Sequence, residues 1–329
     1  MDIVGVVNLQ ARRGSQAVAR KIRDEIPGAR VLVSRSFEDL RGFVADGGRP
    51  ELVVSAGGDG TALGVLNHFG SDLPALGVLK LGTGNAWAGA THAPAWRTAI
   101  EQLGRVVRER AALPLERYRL VLVDGTLAHY AGTGWDAEII DDFHSQKQGF
   151  GLLPRSRRRG MTGYLHGVFT RTIPRSLTSA PVEVELVNTG SDALMVDEHG
   201  RAVPLPGGEH GRVLYRGPSS VCAAGTTTDW GFGFRAFPFA RLRDDRFCMR
   251  VCSASALWAA LHMRSLWRGV HPHAHMHTWL LDSCRATFSR PVPFQAGGDR
   301  LGHKQVVDYR LADPQIDLIN WRLLARGAC

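Results

Sequence analysis

An α/β domain with a parallel sheet, followed by a mostly antiparallel β domain, is the architecture this sequence predicts. Three observations carry that expectation. Strand and helix signals alternate from Asp2 to Arg110. Helical periodicity thins after Pro114. Two glycine clusters fall where a predicted strand ends and a predicted helix begins. Alternation of β and α elements implies a parallel sheet covered by helices.

In chain order, Asp2–Asn8 is a β-rich apolar run, and Ser15–Ile26 has helical spacing at Val18, Ile22 and Ile26 behind a serine suited to an N-cap. Arg30–Ser34 reads as a strand, Phe37–Ala45 as a helix and Glu51–Ala56 as a strand. Thr61–Phe69 (helix), Ala75–Leu79 (strand) and Trp96–Arg110 (amphipathic helix) follow. Beyond Tyr118, Arg119–Val123 and Leu127–Gly132 flank the turn dipeptide Asp124-Gly125 as a hairpin. Val182–Val187, Arg212–Tyr215, Arg246–Ser253, Arg285–Phe288, Val292–Ala296, Val306–Leu311 and Gln315–Ile319 are strand-like. Helical stretches interrupt them near Thr162–Thr172 and Ala254–Arg268. The expected division is residues 1–117 as the α/β nucleotide domain and 118–311 as the β-rich domain. A tail of about 312–329 is a candidate to return to the first.

With 329 residues, two domains or one large one are expected at ~100–200 residues each. A hydrophobic fraction of 44% and a charged fraction of 22% are those of a globular chain and argue against general disorder. No apolar run approaches the ~18 residues of a membrane span, and the N-terminus has too short an apolar run for a signal peptide. A soluble cytoplasmic protein is therefore expected. The five cysteines, Cys222, Cys248, Cys252, Cys284 and Cys329, include no CxxC pair and read as free thiols.

Net charge is +9, from 40 Lys and Arg against 31 Asp and Glu, which favours anionic partners. The densest run, Arg155-Ser156-Arg157-Arg158-Arg159, is a solvated loop or a dock for an anionic membrane surface. No nucleic-acid-binding motif accompanies it. Homodimerisation is left open.

The segment Val53-Val54-Ser55-Ala56-Gly57-Gly58-Asp59-Gly60-Thr61 carries the most chemistry. Glycines let backbone approach a phosphate without a Cβ clash, and helix-start amides point at the anion. Asp59 beside phosphates could hold Mg²⁺ or accept a proton from an attacking hydroxyl. A tight turn with a structural aspartate is the plainer alternative. A second loop, Leu79-Lys80-Leu81-Gly82-Thr83-Gly84-Asn85-Ala86-Trp87-Ala88, also joins strand to helix. Two such loops on neighbouring strand ends can wall one nucleotide cleft. Neither is a Walker A motif nor a GxGxxG fingerprint, so a P-loop NTPase and a dinucleotide dehydrogenase are disfavoured.

Gly57-Gly58-Asp59-Gly60-Thr61 together with Gly82-Thr83-Gly84-Asn85 resembles the diacylglycerol kinase catalytic domain family, which groups bacterial lipid kinases with sphingosine and ceramide kinases. Further landmarks look alike in the same order, over nearly the whole chain. They are Asn8 to Gly14, Gly134-Trp135-Asp136-Ala137, Gly231 to Pro238 with Asp244-Asp245, and Pro293 to Asp299. The resemblance implies ATP-dependent, Mg²⁺-assisted phosphorylation of a lipid hydroxyl, diacylglycerol-like or sphingoid-like. It also implies that the second domain is a β-sandwich. Carried over, Asn8 and Thr61 contact nucleotide phosphate or ribose, and Gly57, Gly58, Gly60, Gly82, Thr83, Gly84 and Asn85 line the triphosphate. Asp59 is essential near Mg²⁺ and the acceptor hydroxyl, Asp136 lies on the lipid-headgroup side, and Asp299 is a candidate base or metal helper.

This sequence departs from the family pattern at several points. Leu9 replaces a proline, Lys80-Leu81 replaces a proline before the second loop, and Ala86 follows Asn85, as in the sphingosine and ceramide kinase branch. Gly297 stands where the late motif has an aspartate, and a missing carboxylate beside a triphosphate weakens metal binding or hydroxyl activation. A nucleotide- or lipid-binding pseudokinase is the alternative that follows from Gly297, and an NAD kinase is a further one.

Three other features are of note. His271, His273, His275 and His277 alternate and would share one face of a strand, as surface or pocket residues or as metal ligands. Asp136, Glu138, Asp141 and Asp142 form an acidic run, suited to a solvated turn or to an amine headgroup. Leu257, Trp258, Leu261, Leu266 and Trp267 lie on one helical stretch and read as core, with an acyl pocket as the alternative.

Overall fold

A computed structural model describes residues 1–11, 15–35, 37–134, 137–138 and 181–326. Chain contacts divide it into two compact units. The first comprises Met1–Arg119, Gly231–Gly233 and Asp313–Cys329. The second comprises Leu120–Trp230 and Phe234–Ala312.

The first unit runs β1 (Ile3–Asn8), α1 (Gln16–Glu25), β2 (Arg30–Ser34), α2 (Glu38–Ala45), β3 (Leu52–Ala56), α3 (Asp59–Phe69), β4 (Ala75–Val78), α4 (Ala86–Ala90), α5 (Trp96–Glu109) and β5 (Leu115–Tyr118). The C-terminal β18 (Ile316–Ile319) and α8 (Trp321–Ala325) complete it. Its sheet has the order β2-β1-β3-β4-β18-β5. The pairings from β2 through β18 are parallel, and β5 runs antiparallel to β18. β3 is buried along its whole length, as a parallel strand covered on both faces should be. Val18, Ala19 and Ile22 of α1 and Ala99, Ile100, Leu103 and Val106 of α5 supply the covering apolar faces. The chain leaves β1 for β2 on one side and crosses back to β3 on the other. The strand order therefore reverses between β1 and β3, whose carboxyl ends are Asn8 and Ala56. In open α/β sheets, ligands bind at such a switch point.

The second unit holds β6 (Val121–Val123), β7 (Thr126–Ala128), β8 (Tyr130–Gly134), β9 (Val182–Asn188), β10 (Leu194–Val196), β11 (Ala202–Pro204), β12 (Val213–Ser219), β13 (Val221–Gly225), β14 (Phe247–Cys252), α6 (Ala256–Leu261), α7 (Met263–Arg268), β15 (Met276–Leu281), β16 (Ser283–Ala296) and β17 (Asp299–Leu311). All its strand pairings are antiparallel, and hydrogen bonds join the strands into one twelve-stranded sheet. β16 makes this continuity possible. Its first half pairs with β9 and its second half with β8, across a register shift between Thr287 and Val292. The segments expected as separate strands, Arg285–Phe288 and Val292–Ala296, are thus two halves of one bent strand. Asp124 and Gly125, with φ of 48° and 75°, make the expected tight hairpin between β6 and β7. A cluster of Tyr130, Val196, Ala223, Ala236, Phe237, Ala240, Cys248 and Leu280 forms a core, with Trp230, Phe234 and Phe239 packed on it.

Three expectations are corrected. The helical stretch 254–268 is two six-residue helices broken at His262 (φ −101°, ψ 11°), and only their inner side is core. Ala259 and Leu266 are buried, whereas Leu257 is 60% and Leu261 76% exposed. The histidine alternation is not one strand face. His271–His275 precede β15, and only His277 lies on it. His262 stacks on Trp258, with His273 and His275 edge-on to the same indole. Among the described residues no group of three or more His, Cys, Asp or Glu could hold a metal. Cys222, Cys248, Cys252 and Cys284 are free and buried, as expected. No described helix is long and apolar enough to cross a membrane. Arg155–Arg159, the helix expected near Thr162–Thr172, Asp136, Asp141, Asp142 and Cys329 lie outside the described residues.

Candidate functional site

The switch point of the first unit is closed by side chains at the ends of β1 and β3. The Asn8 Nδ2 amide donates to the Thr61 hydroxyl at 3.0 Å, and the Asn8 side-chain oxygen accepts from Gln10 N at 2.8 Å. Thr61 is buried in the first turn of α3. Gly57 is packed so closely under it that an added Cβ would collide with the Thr61 side chain. Glycine there is a packing requirement, set by the strand running straight into the helix.

The two glycine loops meet backbone to backbone. A Cβ on Gly58 would stand 3.1 Å from the Gly82 Cα, and one on Gly82 would collide with the Gly58 Cα. Asp59 then ties the loops together. Its carboxylate oxygens accept from the backbone amides of Ala86 and Trp87, each at 3.0 Å. These are first-turn amides of α4, the kind that have no acceptor within their own helix. Burial raises the pKa of Asp59, opposed by these amides and by those of Asp59 itself and Asn85. The acid beside the glycines is thus both a buried charge at a helix start and the fastener between the loops.

Asn85 shapes the second loop. It adopts a left-handed conformation (φ 52°, ψ 42°) that asparagine tolerates better than most residues. Its side-chain oxygen accepts from Gly82 N at 2.9 Å and its amide donates to Gly82 O at 3.1 Å, closing the loop on itself. Thr83 and Lys80 are half-buried on the same loop.

A third loop joins them. Phe232 N donates to Gly84 O at 3.0 Å, and a Cβ on Gly231 (φ 132°) would sit 3.3 Å from the Gly84 Cα. Gly231-Phe232-Gly233 thus adds a glycine-bearing segment to the site, one that carries no strand-to-helix signature of its own.

The structure thus brings together Asn8, Gly57, Gly58, Asp59, Gly60, Thr61, Gly82, Thr83, Gly84 and Asn85 on one unit. Asp299 belongs to the other unit, where it opens β17 and is exposed. The two-residue turn before it has Gly297 at φ 58° and Gly298 at φ 92°, and the Gln295 side chain accepts from Gly298 N at 2.9 Å. Gly297 therefore occupies a turn position open to Gly, Asn or Asp.

Comparison with known proteins follows this geometry. Residues 10–115 match the family model of the diacylglycerol kinase catalytic domain. No curated protein sequence matches the chain significantly. Among solved structures, the chain resembles a diacylglycerol kinase from Bacillus anthracis str. Sterne at 13% identity, with 97% of this chain and 96% of that one covered and a TM-score of 0.61. A second, provisionally assigned diacylglycerol kinase from the same organism gives 15% identity, 97% coverage of each chain and a TM-score of 0.64. An NAD kinase from Archaeoglobus fulgidus, solved in complex with ATP, gives 12% identity, coverage of 99% and 96%, and a TM-score of 0.54. At such identities the likeness is one of fold. The match to the family model is confined to residues 10–115, most of the first unit.

Proposed function

We propose that this protein is a lipid kinase that transfers the γ-phosphate of ATP to a lipid hydroxyl. The observation that supports this most is the junction of two Cβ-free loops, clamped by Asp59 at the carboxyl ends of β3 and β4. Three glycine-bearing backbone segments converging on one point leave main-chain amides close to any phosphate held there. Phosphoryl transfer asks a protein chiefly for positioning and charge neutralisation.

In this reading Asn8 and Thr61 fix the floor of the triphosphate site, and Gly82–Asn85 form its opposite wall. Asp59 holds the walls in register. As the oxygen–phosphorus bond forms and the bond to the leaving diphosphate breaks, the acceptor hydroxyl gives its proton to Asp59, which burial makes more basic. Mg²⁺ needs only one or two carboxylates besides phosphates and water, and Asp59 would be the one to hold it where it does not serve as the proton acceptor. When bound, Mg²⁺ supplies neutralisation of the triphosphate charge. Asp136 remains the proposed headgroup contact and Asp299 the proposed helper.

The test is transfer of labelled γ-phosphate from ATP with Mg²⁺ to diacylglycerol, monoacylglycerol, sphingosine and ceramide in mixed micelles, with NAD as a soluble acceptor. Label on one lipid class supports the reading and names the substrate. Label on NAD alone overturns it. ATP binding without any transfer overturns it in favour of a pseudokinase.

A further inference from the structure

Apolar side chains exposed singly are ordinary, but clusters of them mark contact surfaces. Ten large hydrophobic residues are well exposed among the described residues, and four of them fall within one stretch of fourteen: Leu257, Leu261, Met263 and Val270. Leu257 and Leu261 are one helical turn apart on α6, at 60% and 76% exposure. This helix pair is firmly anchored. Leu266 is buried, Trp267 packs on Phe234, and the Trp267 carbonyl accepts from Arg235 N at 3.0 Å. On α6 itself, Ala259 is buried and Trp258 stacks on His262, which leaves Leu257 and Leu261 outward.

The stretch that carries them holds no acid, and its exposed charges are Arg264 and Arg268. From Arg246 to Leu281 the sequence holds four arginines and five histidines and not one aspartate or glutamate. Arg264 and Arg268 of α7 are exposed and form no ion pair with a described residue. They lie on the second helix, just beyond the break at His262. Half-buried Trp258 and Trp267 add indoles, which favour the boundary between an apolar and a wet phase. A protein partner could cover apolar side chains. Apolar anchors beside two exposed arginines that form no ion pair with a described residue match instead the two layers of an anionic bilayer surface.

We propose that the α6–α7 face docks this protein on anionic membranes. Leu257, Leu261 and Met263 enter the headgroup–acyl boundary, and Arg264 and Arg268 meet lipid phosphates. The inference goes beyond the lipid-kinase reading and stands apart from it, because docking is measured without ATP or turnover.

The test is co-sedimentation of the full chain with sucrose-loaded vesicles of phosphatidylcholine, with and without 30% phosphatidylglycerol (about that fraction suffices for a negative surface potential). Binding to the anionic vesicles is expected, falling steeply with salt. Leu257→Asp/Leu261→Asp should weaken it at least tenfold with ATP affinity and circular dichroism unchanged. Arg264→Ser/Arg268→Ser should remove the preference for anionic lipid. Leu261→Trp should tighten binding, a gain that misfolding cannot mimic. Wild-type protein that ignores anionic vesicles overturns the proposal, as do variants that bind like wild type. Sedimentation equilibrium covers the remaining occupant: a dimer that Leu257→Asp/Leu261→Asp dissociates, without any vesicle effect, would assign the face to a second copy.

Discussion

Replacing Asp59 with asparagine should cost stability as well as activity. The carboxylate accepts two backbone amides, Ala86 N and Trp87 N, both at 3.0 Å. Asparagine keeps one acceptor oxygen and turns the other position into a donor that faces an N–H. One part-buried amide then loses its partner, at about 1–3 kcal/mol. Loss of the negative charge at the start of α4 adds about 0.3–1 kcal/mol. The sum is about 1–4 kcal/mol, enough to loosen the two loops. Urea unfolding followed by circular dichroism at pH 7 should show that loss, and titration calorimetry should show weakened ATP binding alongside lost turnover. An unfolding free energy within about 0.5 kcal/mol of wild type, the ordinary scatter of a surface substitution, would refute the clamp. Asp59 would then be a chemical group only.

Three other substitutions test neighbouring arguments. Gly82→Ala places a Cβ against the Gly58 backbone, so it should cost about 1–3 kcal/mol and abolish ATP binding, read by the same two assays. His129 is fully buried, and burial lowers its pKa to about 3 from 6.5. Its neutral form is native, so its contribution is intact above pH 6.5 and is lost as pH falls from 6.5 toward 3, at about 1.4 kcal/mol per pH unit. Wild type should therefore lose about 2 kcal/mol more than His129→Gln between pH 7 and pH 5, and parallel stability curves would refute this. Gly297→Asp keeps a turn residue that tolerates φ 58° but puts a carboxylate at a buried position, so it should lower the melting temperature while raising the transfer rate. An unchanged rate would remove any need for a carboxylate at that position.

The α/β half was legible because each of its elements is locally consistent. Val18 and Ile22 keep helical spacing, the strands are short apolar runs, and each glycine cluster marks a real strand-to-helix corner. The glycine loops were found for a physical reason: Gly57, Gly58 and Gly82 sit where no Cβ fits. Their partnership was not legible. That Asp59 fastens one loop to the amides of the other depends on contacts 27 and 28 residues apart, and no local pattern encodes it. Phe232 reaches Gly84 from farther still. In the β half, β10, β11, β13 and β15 went unread, since short strands inside a large antiparallel sheet carry few alternations. Leu257 and Leu261 were misread as core because helical spacing reports an apolar face but not what covers it.

The place of β18 governs how the molecule can be made. The strand lies between β4 and β5, and Trp321 N donates to the Thr91 carbonyl at the end of α4 at 3.1 Å. Ile319 and Trp321 also fill the space over Gly77 in β4. On the ribosome, β1 to β4 emerge early, but the edge of β4, which ends at Val78, finds no neighbour until Ile316 has been threaded. The β-rich unit is therefore synthesised while the sheet before it still presents an open, apolar edge, the kind of surface that recruits chaperones or pairs wrongly. Closure of the first unit is a late event, coupled to the arrival of residues 313–326.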